Sequence, residues 1–201
     1  MIMAENTKTD WHRGDWMQTY TGKAFYPLDP DPTQIDLLDI AHALGMQCRY
    51  NGHVHRFYSV AEHCVHVSAI VPREHALWGL LHDGTEAYVG DMIRPLKLHM
   101  PDYVAVEDAV MEAIAVRFGL SGAPHMPDEV KAADTQVLLD ERIALLGTPP
   151  HRWNTDREPA GVKILGLAPD AAARAYLERF AELAGSPMPT YPIHTTTPPQ
   201  E

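Results

Sequence analysis

Leu80-Leu81-His82-Asp83-Gly84-Thr85-Glu86-Ala87 is the stretch that decides how this chain is read. It lies in an apolar run with helical spacing, Ala76 to Ala87, so an imidazole nitrogen and a carboxylate oxygen stand side by side on one helix. A divalent cation needs that pairing when it must be held with positions left open for water and substrate. The dipeptide alone is weak, because a buried His-Asp pair can be purely structural. Its surroundings raise its weight. His63 lies upstream on another predicted helix, Asp134 lies downstream on a third, and Glu86 follows one turn after the pair. Two nitrogens and two carboxylates fill four of the six positions of an octahedral shell and leave the others for water and a phosphoryl oxygen. Glu86 shares the broad helical face of His82 and Asp83, where a carboxylate can orient or deprotonate an attacking water without binding the ion.

Working outward, helical signals dominate. Thr33 is expected to cap a helix to about Leu44, with Asp36 at the capping-box position and Gly45 past its end. Ser59-Val60-Ala61-Glu62 forms a cleaner capping box, opening a helix through Val71 that Pro72 closes. Further helices are predicted from Glu74 to Tyr88, from Tyr103 to Phe118 before Gly119, from Pro127 through Leu146, and from Pro169 to Ala184. Val54 to Tyr58 is expected to form at most part of a small hairpin, and Val162 to Leu167 is too short and mixed to assign. Gly147 to Gly161 reads as a loop. Ser186 to Glu201, with five prolines and four threonines, reads as a tail. The expected organisation is a flexible segment over residues 1–19, one all-α domain over 20–185 and a Pro/Thr-rich tail over 186–201.

The chain has 201 residues, enough for one domain with a substantial core. No apolar run approaches a membrane span, and the polar N-terminus lacks an export signal, so a cytoplasmic protein is expected. Cys48 and Cys64 are too few for a disulfide framework. A formal net charge of −11 argues against nonspecific binding to nucleic acid or an anionic membrane. It does not exclude a small phosphorylated substrate in a locally basic pocket.

Beyond these local readings, the chain resembles the HD-domain metal-dependent phosphohydrolases, in the branch of YfbR-type 5′-deoxynucleotidases and phage dATP triphosphohydrolases. The likeness rests on Cys48-Arg49-Tyr50, Tyr58-Ser59-Val60-Ala61-Glu62-His63, Leu80 to Ala87, Gly90-Asp91-Met92-Ile93-Arg94-Pro95-Leu96-Lys97 and Lys131-Ala132-Ala133-Asp134. It covers roughly Ala41 to Leu146. The resemblance implies an HD-domain helical bundle that hydrolyses a 5′-phosphate ester of (deoxy)nucleotides. It also implies His63, His82, Asp83 and Asp134 as metal ligands, with Glu86 handling the nucleophilic water. By the same resemblance Asp91 and Arg49 meet the sugar and phosphate of a nucleotide. The family sets an aromatic residue, often Trp, after that arginine, where this chain has Tyr50. From the residues themselves, Arg49 beside an aromatic suits a phosphate-and-ring contact, and Arg94 and Lys97 flank Pro95 where they could neutralise phosphate. The cofactor expected is a divalent metal (Co, Mn, Zn, Ni, Fe or Mg). The partners expected are a small nucleotide and further copies of the chain, as a dimer or higher homo-oligomer.

Release of triphosphate from a deoxynucleoside triphosphate is the alternative reaction, since both reactions use the same ligands. A dinuclear oxygenase or phosphodiesterase is a further reading. It would recruit His99 and His125, which sit beside prolines in predicted loops. A nucleotide-binding module without catalysis is another, but it would need neither Glu86 nor a full ligand set. Of the remaining histidines, His42, His53, His55 and His66 carry no role that spacing assigns.

Overall fold

In the computed structural model, which describes residues 13–189, helix boundaries follow side-chain caps. The first helix, α1 (Leu37–Met46), starts at Asp36, whose carboxylate accepts from the Leu38 amide at 2.9 Å. The expected start at Thr33 is therefore corrected. Pro32–Gln34 closes a single 3₁₀ turn capped by Asp31, and Ile35 then runs extended with its side chain fully buried. Arg117 donates to the Ile35 carbonyl at 3.1 Å, which holds the break open. Gly45 also differs from expectation, lying inside α1 rather than beyond it. A Cβ there would stand 2.7 Å from the Pro169 carbonyl oxygen and 3.0 Å from Ala173, so this glycine marks the closest approach of the last helix.

The second helix, α2 (Val60–Ile70), is capped as expected by Ser59, which accepts from the Glu62 amide at 3.1 Å. The continuous helix expected from Glu74 to Tyr88 is divided. A 3₁₀ turn at Arg73–His75 leads into α3 (Ala76–Leu81), and a tight turn separates it from α4 (Glu86–Val89). Across that turn the amides of Gly84 and Glu86 bond three residues back, to Leu81 and Asp83, at 2.8 and 3.0 Å. This winds the chain more tightly and places the His82-Asp83 pair at the end of α3. A short α5 (Arg94–Lys97), which no spacing had suggested, precedes α6 (Pro101–Phe118). Then come α7 (Asp128–Leu145), with Pro127 as its cap residue, and α8 (Pro169–Ala184), the helix that crosses at Gly45.

Helix α2 is the axis of the assembly, packing against α1, α3, α7 and α8. Ile40, Leu44, Val67, Leu80, Leu81, Ile114, Tyr176 and Leu177 bury their side chains around it. Removing such apolar surface from water is the main stabilising term. Gly79 lets α3 approach α2, since a Cβ there would lie 3.0 Å from the Ser68 Cα. A two-residue antiparallel hairpin, β1 (Met17–Gln18) with β2 (Ala24–Phe25), lies ahead of α1 and sets Phe25 against the Tyr88 ring at 4.2 Å. In place of a hairpin within Val54 to Tyr58 there is one bridge, Cys48 to Ser59. The fold is all-α apart from these pairings. Among the described residues no helix is long and apolar enough to cross a membrane. Met1–His12 and the tail from Thr190 lie outside the described residues.

The long connection between α7 and α8 has no regular structure, so its backbone groups need other partners. Buried carboxylates supply them. Glu62 accepts from the amides of Leu165, Gly166 and Leu167 at 2.7, 3.1 and 2.7 Å. Asp140 accepts from Gly161 and Val162 at 3.1 and 3.0 Å. Glu62 thus does not close the capping box by reaching back to Ser59, because the loop takes its carboxylate.

Candidate metal centre

Three helices and one turn bring the expected ligands together. His63 projects from the first turn of α2 and is fully buried. Its Nε2 lies 3.2 Å from His82 Nε2, 3.7 Å from Asp83 Oδ2 and 3.1 Å from Asp134 Oδ1 on α7. His82 Nε2 is 3.2 Å from Asp83 Oδ2. His63, His82 and Asp83 can each offer one atom to a common ion. Asp134, whose side chain is partly exposed, meets this group through His63. Atoms about 2.1 Å from one ion stand about 3 Å apart at adjacent octahedral positions, close to the separations here.

Hydrogen bonding fixes which way the imidazoles face. The Gly79 carbonyl can only accept, so His82 Nδ1 carries the hydrogen and donates to it at 2.8 Å. His63 Nδ1 donates to Glu141 Oε1 at 2.6 Å. When neutral, both rings therefore turn an Nε2 lone pair toward the same point, 3.2 Å apart. Two lone pairs at that distance repel unless positive charge, a proton or a metal cation, lies between them. The carboxylates favour such charge on the rings themselves. Burial opposes charge on His82, yet Asp83 outweighs it and lifts the imidazole well above its ordinary value. Burial would likewise raise Asp83, but His82, His63 and Arg49 pull it far below the carboxylate range. The donor set, two imidazoles with carboxylate oxygens, suits Mn, Fe, Co, Ni or Zn.

Glu141 is a member of this cluster that the sequence reading missed. It sits on α7, two turns after Asp134 and on the same face, and its carboxylate is fully buried. Besides His63, it accepts from Arg49 Nε at 3.1 Å and from the Tyr50 hydroxyl at 2.6 Å. Burial opposes its ionisation, but Arg49 and then His63 hold its pKa down at about 2. Arg49 also reaches Asp83 Oδ2 through Nη1 at 3.4 Å. Tyr50 and Asn51 both adopt left-handed backbone, with φ of 57° and 50°. Such conformations cost about 1–2 kcal/mol per residue without glycine, and strain of this kind gathers at functional sites.

The other expected residues divide. Glu86 opens α4 beside Asp83, and its buried Oε2 has no hydrogen-bond partner among the described residues. Burial, then the charges of Asp83 and Asp91, push its carboxyl well above the usual range. A carboxyl so raised holds a proton more readily than an ordinary one, as a group that takes and returns a proton requires. Asp91 is exposed in the segment after α4, and its carboxyl is also raised, by partial burial first, with Arg49 and Lys97 opposing. Lys97 is not drawn to the cluster. It pairs with Glu107 on α6 and stands 5.9 Å from the Tyr103 ring. Arg94 is exposed on α5.

Among the described residues no other histidine joins the group. His66 leans on Glu62 at 3.5 Å, His42 stacks on Tyr20, and His53, His55, His99 and His125 are exposed. Cys64 lies buried beside His82, its thiol pushed up to about 11 by burial.

No family model matches the chain. It is 38% identical over 172 residues to the uncharacterized protein YfdR of Escherichia coli, an alignment covering 84% of this chain and 96% of YfdR. It is also 37% identical over 132 residues to an uncharacterized protein of Rhodobacter capsulatus, covering 60% of this chain and 67% of that protein.

Proposed function

Given that the chain belongs to the family of YfdR, we propose that it is a metal-dependent phosphohydrolase of the HD-domain type, removing the 5′-phosphate from (deoxy)nucleotides. The observation that carries this reading is the convergence of two imidazole lone pairs and the Asp83 carboxylate beside the unpartnered carboxyl of Glu86. His63, His82, Asp83 and Asp134 would hold the cation. A divalent ion there supplies the charge that acidifies water and polarises a phosphoryl oxygen.

The chain's own groups do the rest. Glu86 Oε2 takes a proton from the attacking water and returns it to the leaving sugar oxygen. The guanidinium of Arg49 has five N–H donors, of which Nε and one on Nη1 are engaged within the protein. Its remaining donors face a phosphoryl oxygen at the cluster. Asp91, exposed after α4, accepts a hydrogen bond from a sugar hydroxyl.

A monophosphate is favoured over a triphosphate by the count of cations. Among the described residues, Arg49 is the one lysine or arginine in contact with the cluster, and Lys97 is engaged by Glu107. A triphosphate carries more charge than one arginine and one ion balance. The test is product identification across deoxy- and ribonucleoside mono- and triphosphates, with and without EDTA. Inorganic phosphate from monophosphates, abolished by EDTA, is expected. Triphosphate as product would transfer the assignment to the triphosphohydrolase reaction, and no hydrolysis with any metal would overturn it.

A further inference from the structure

Three donors from two separate elements converge on one buried carboxylate. The Glu141 Oε1 accepts from His63 Nδ1 at 2.6 Å, and Oε2 accepts from Arg49 Nε at 3.1 Å and from the Tyr50 hydroxyl at 2.6 Å. This carboxylate already accepts three donors and lies outside the group, His63, His82 and Asp83, whose atoms can meet at one ion. Resting on the metal-centre reading above, we infer that Glu141 is a positioning residue. It keeps the hydrogen of His63 on Nδ1, so that Nε2 faces the cation, and it locks the Arg49 guanidinium at the edge of the same centre.

The chemistry requires an anionic carboxylate rather than any polar group. An imidazole offers a lone pair at Nε2 when its hydrogen stays at Nδ1, and that is decided by what Nδ1 meets. A carboxylate has acceptors on both oxygens. A carboxamide of the same shape has one oxygen and one NH₂, so one of its two sides must face a donor with a donor. If the NH₂ faces His63, the imidazole moves its hydrogen to Nε2 and stops being a ligand. If it faces the other way, it confronts Arg49 Nε, and Tyr50 must turn from donor to acceptor. The left-handed residues Tyr50 and Asn51 carry Arg49 and Tyr50 to this carboxylate, so one side chain joins the ligand on α2 to the strained turn before it.

The test uses Glu141→Gln and Glu141→Ala in the full chain, with Mn²⁺ affinity read by titration calorimetry and folding by circular dichroism. His82→Ala serves as the control for the metal centre. Removal of a hydrogen-bond partner of a metal-ligating histidine weakens affinity ~10–100-fold, and that loss is expected in both Glu141 variants with helix content retained. In Zn²⁺-loaded wild-type protein, ¹⁵N-edited NMR should show the His63 hydrogen on Nδ1, and in Glu141→Gln that resonance should be lost or shifted. Should Glu141→Ala fail to fold, the isosteric Gln variant carries both readouts. Wild-type Mn²⁺ affinity and an unchanged His63 resonance in Glu141→Gln, with binding lost in His82→Ala, would overturn the role of Glu141 while leaving the metal centre standing. Wild-type binding in His82→Ala would overturn both.

Discussion

Glu62 and His63 are neighbours on one helix, both buried, and they serve opposite ends. Glu62 points to the α7–α8 connection, where its two oxygens receive three backbone amides and the polar groups are matched. His63 points the other way, where its Nε2 meets another lone-pair nitrogen and two carboxylate oxygens. Burial alone therefore separates nothing. What distinguishes the structural face of α2 from the chemical one is whether donors and acceptors balance. The face that balances needs nothing more, and the other balances only with added positive charge, so it is the one that can hold a cation.

The largest effect that would break this contrast belongs to the unbalanced side. His82→Ala or Asp83→Ala should reduce nucleotide hydrolysis below detection while helix content by circular dichroism is retained. Wild-type turnover in either variant would remove the centre from the mechanism. Next comes Glu86, whose unpartnered Oε2 does not hold the ligands. Glu86→Ala should keep its bound metal and lose rate by ~10²–10⁴-fold. Loss of metal together with rate would make it a ligand instead.

Arg49 lies at the seam, balanced by Glu141 yet with donors left over. Arg49→Ala should weaken nucleotide turnover about ten- to hundredfold, the equivalent of ~1.5–3 kcal/mol for a charged hydrogen bond. Bis-p-nitrophenyl phosphate, which depends less on such a contact, should lose less. Equal losses on both substrates would deny Arg49 a nucleotide-specific role.

The smallest effect on activity is expected from the balanced side. Glu62→Gln should lower the melting temperature by roughly 4–10 °C, from about 2–3 kcal/mol of unmatched buried amides, and leave metal stoichiometry unchanged. Burial opposes ionisation of Glu62, but His66 and the loop amides outweigh it and hold its pKa below the ordinary value. Its stabilisation is thus complete above the ordinary carboxylate pKa and is lost as pH falls through the lower folded value. The gap in melting temperature between wild type and variant should narrow over that acid range. A gap independent of pH would assign the effect to packing.

Local features were legible in the residues, and distant ones were not. The cap at Ser59, the start of α8 at Pro169 and the His82-Asp83 pairing each depend on a few consecutive side chains. Glu141 depends on partners 78, 91 and 92 positions away. Its only trace in the sequence is the two-turn spacing from Asp134, which any exposed glutamate on α7 could share. Gly45 shows the same limit, because a glycine that ends a helix and one that admits a neighbouring helix look alike until α8 is in place. The break after Leu81 was hidden too, since a turn with three-residue hydrogen bonds keeps the apolar spacing of a helix.

The central claim, that converging lone pairs make a cation site, is tested most directly by metal stoichiometry. Chelator-treated wild-type protein should take up one divalent cation per chain from Mn²⁺ or Co²⁺ and melt higher as free cation rises. At a hundred times the dissociation constant the gain is about 2.7 kcal/mol, or roughly 5–10 °C. Both uptake and shift should vanish in His82→Ala. A wild-type chain that takes up no cation, or a His82→Ala chain that takes up as much, would contradict the account.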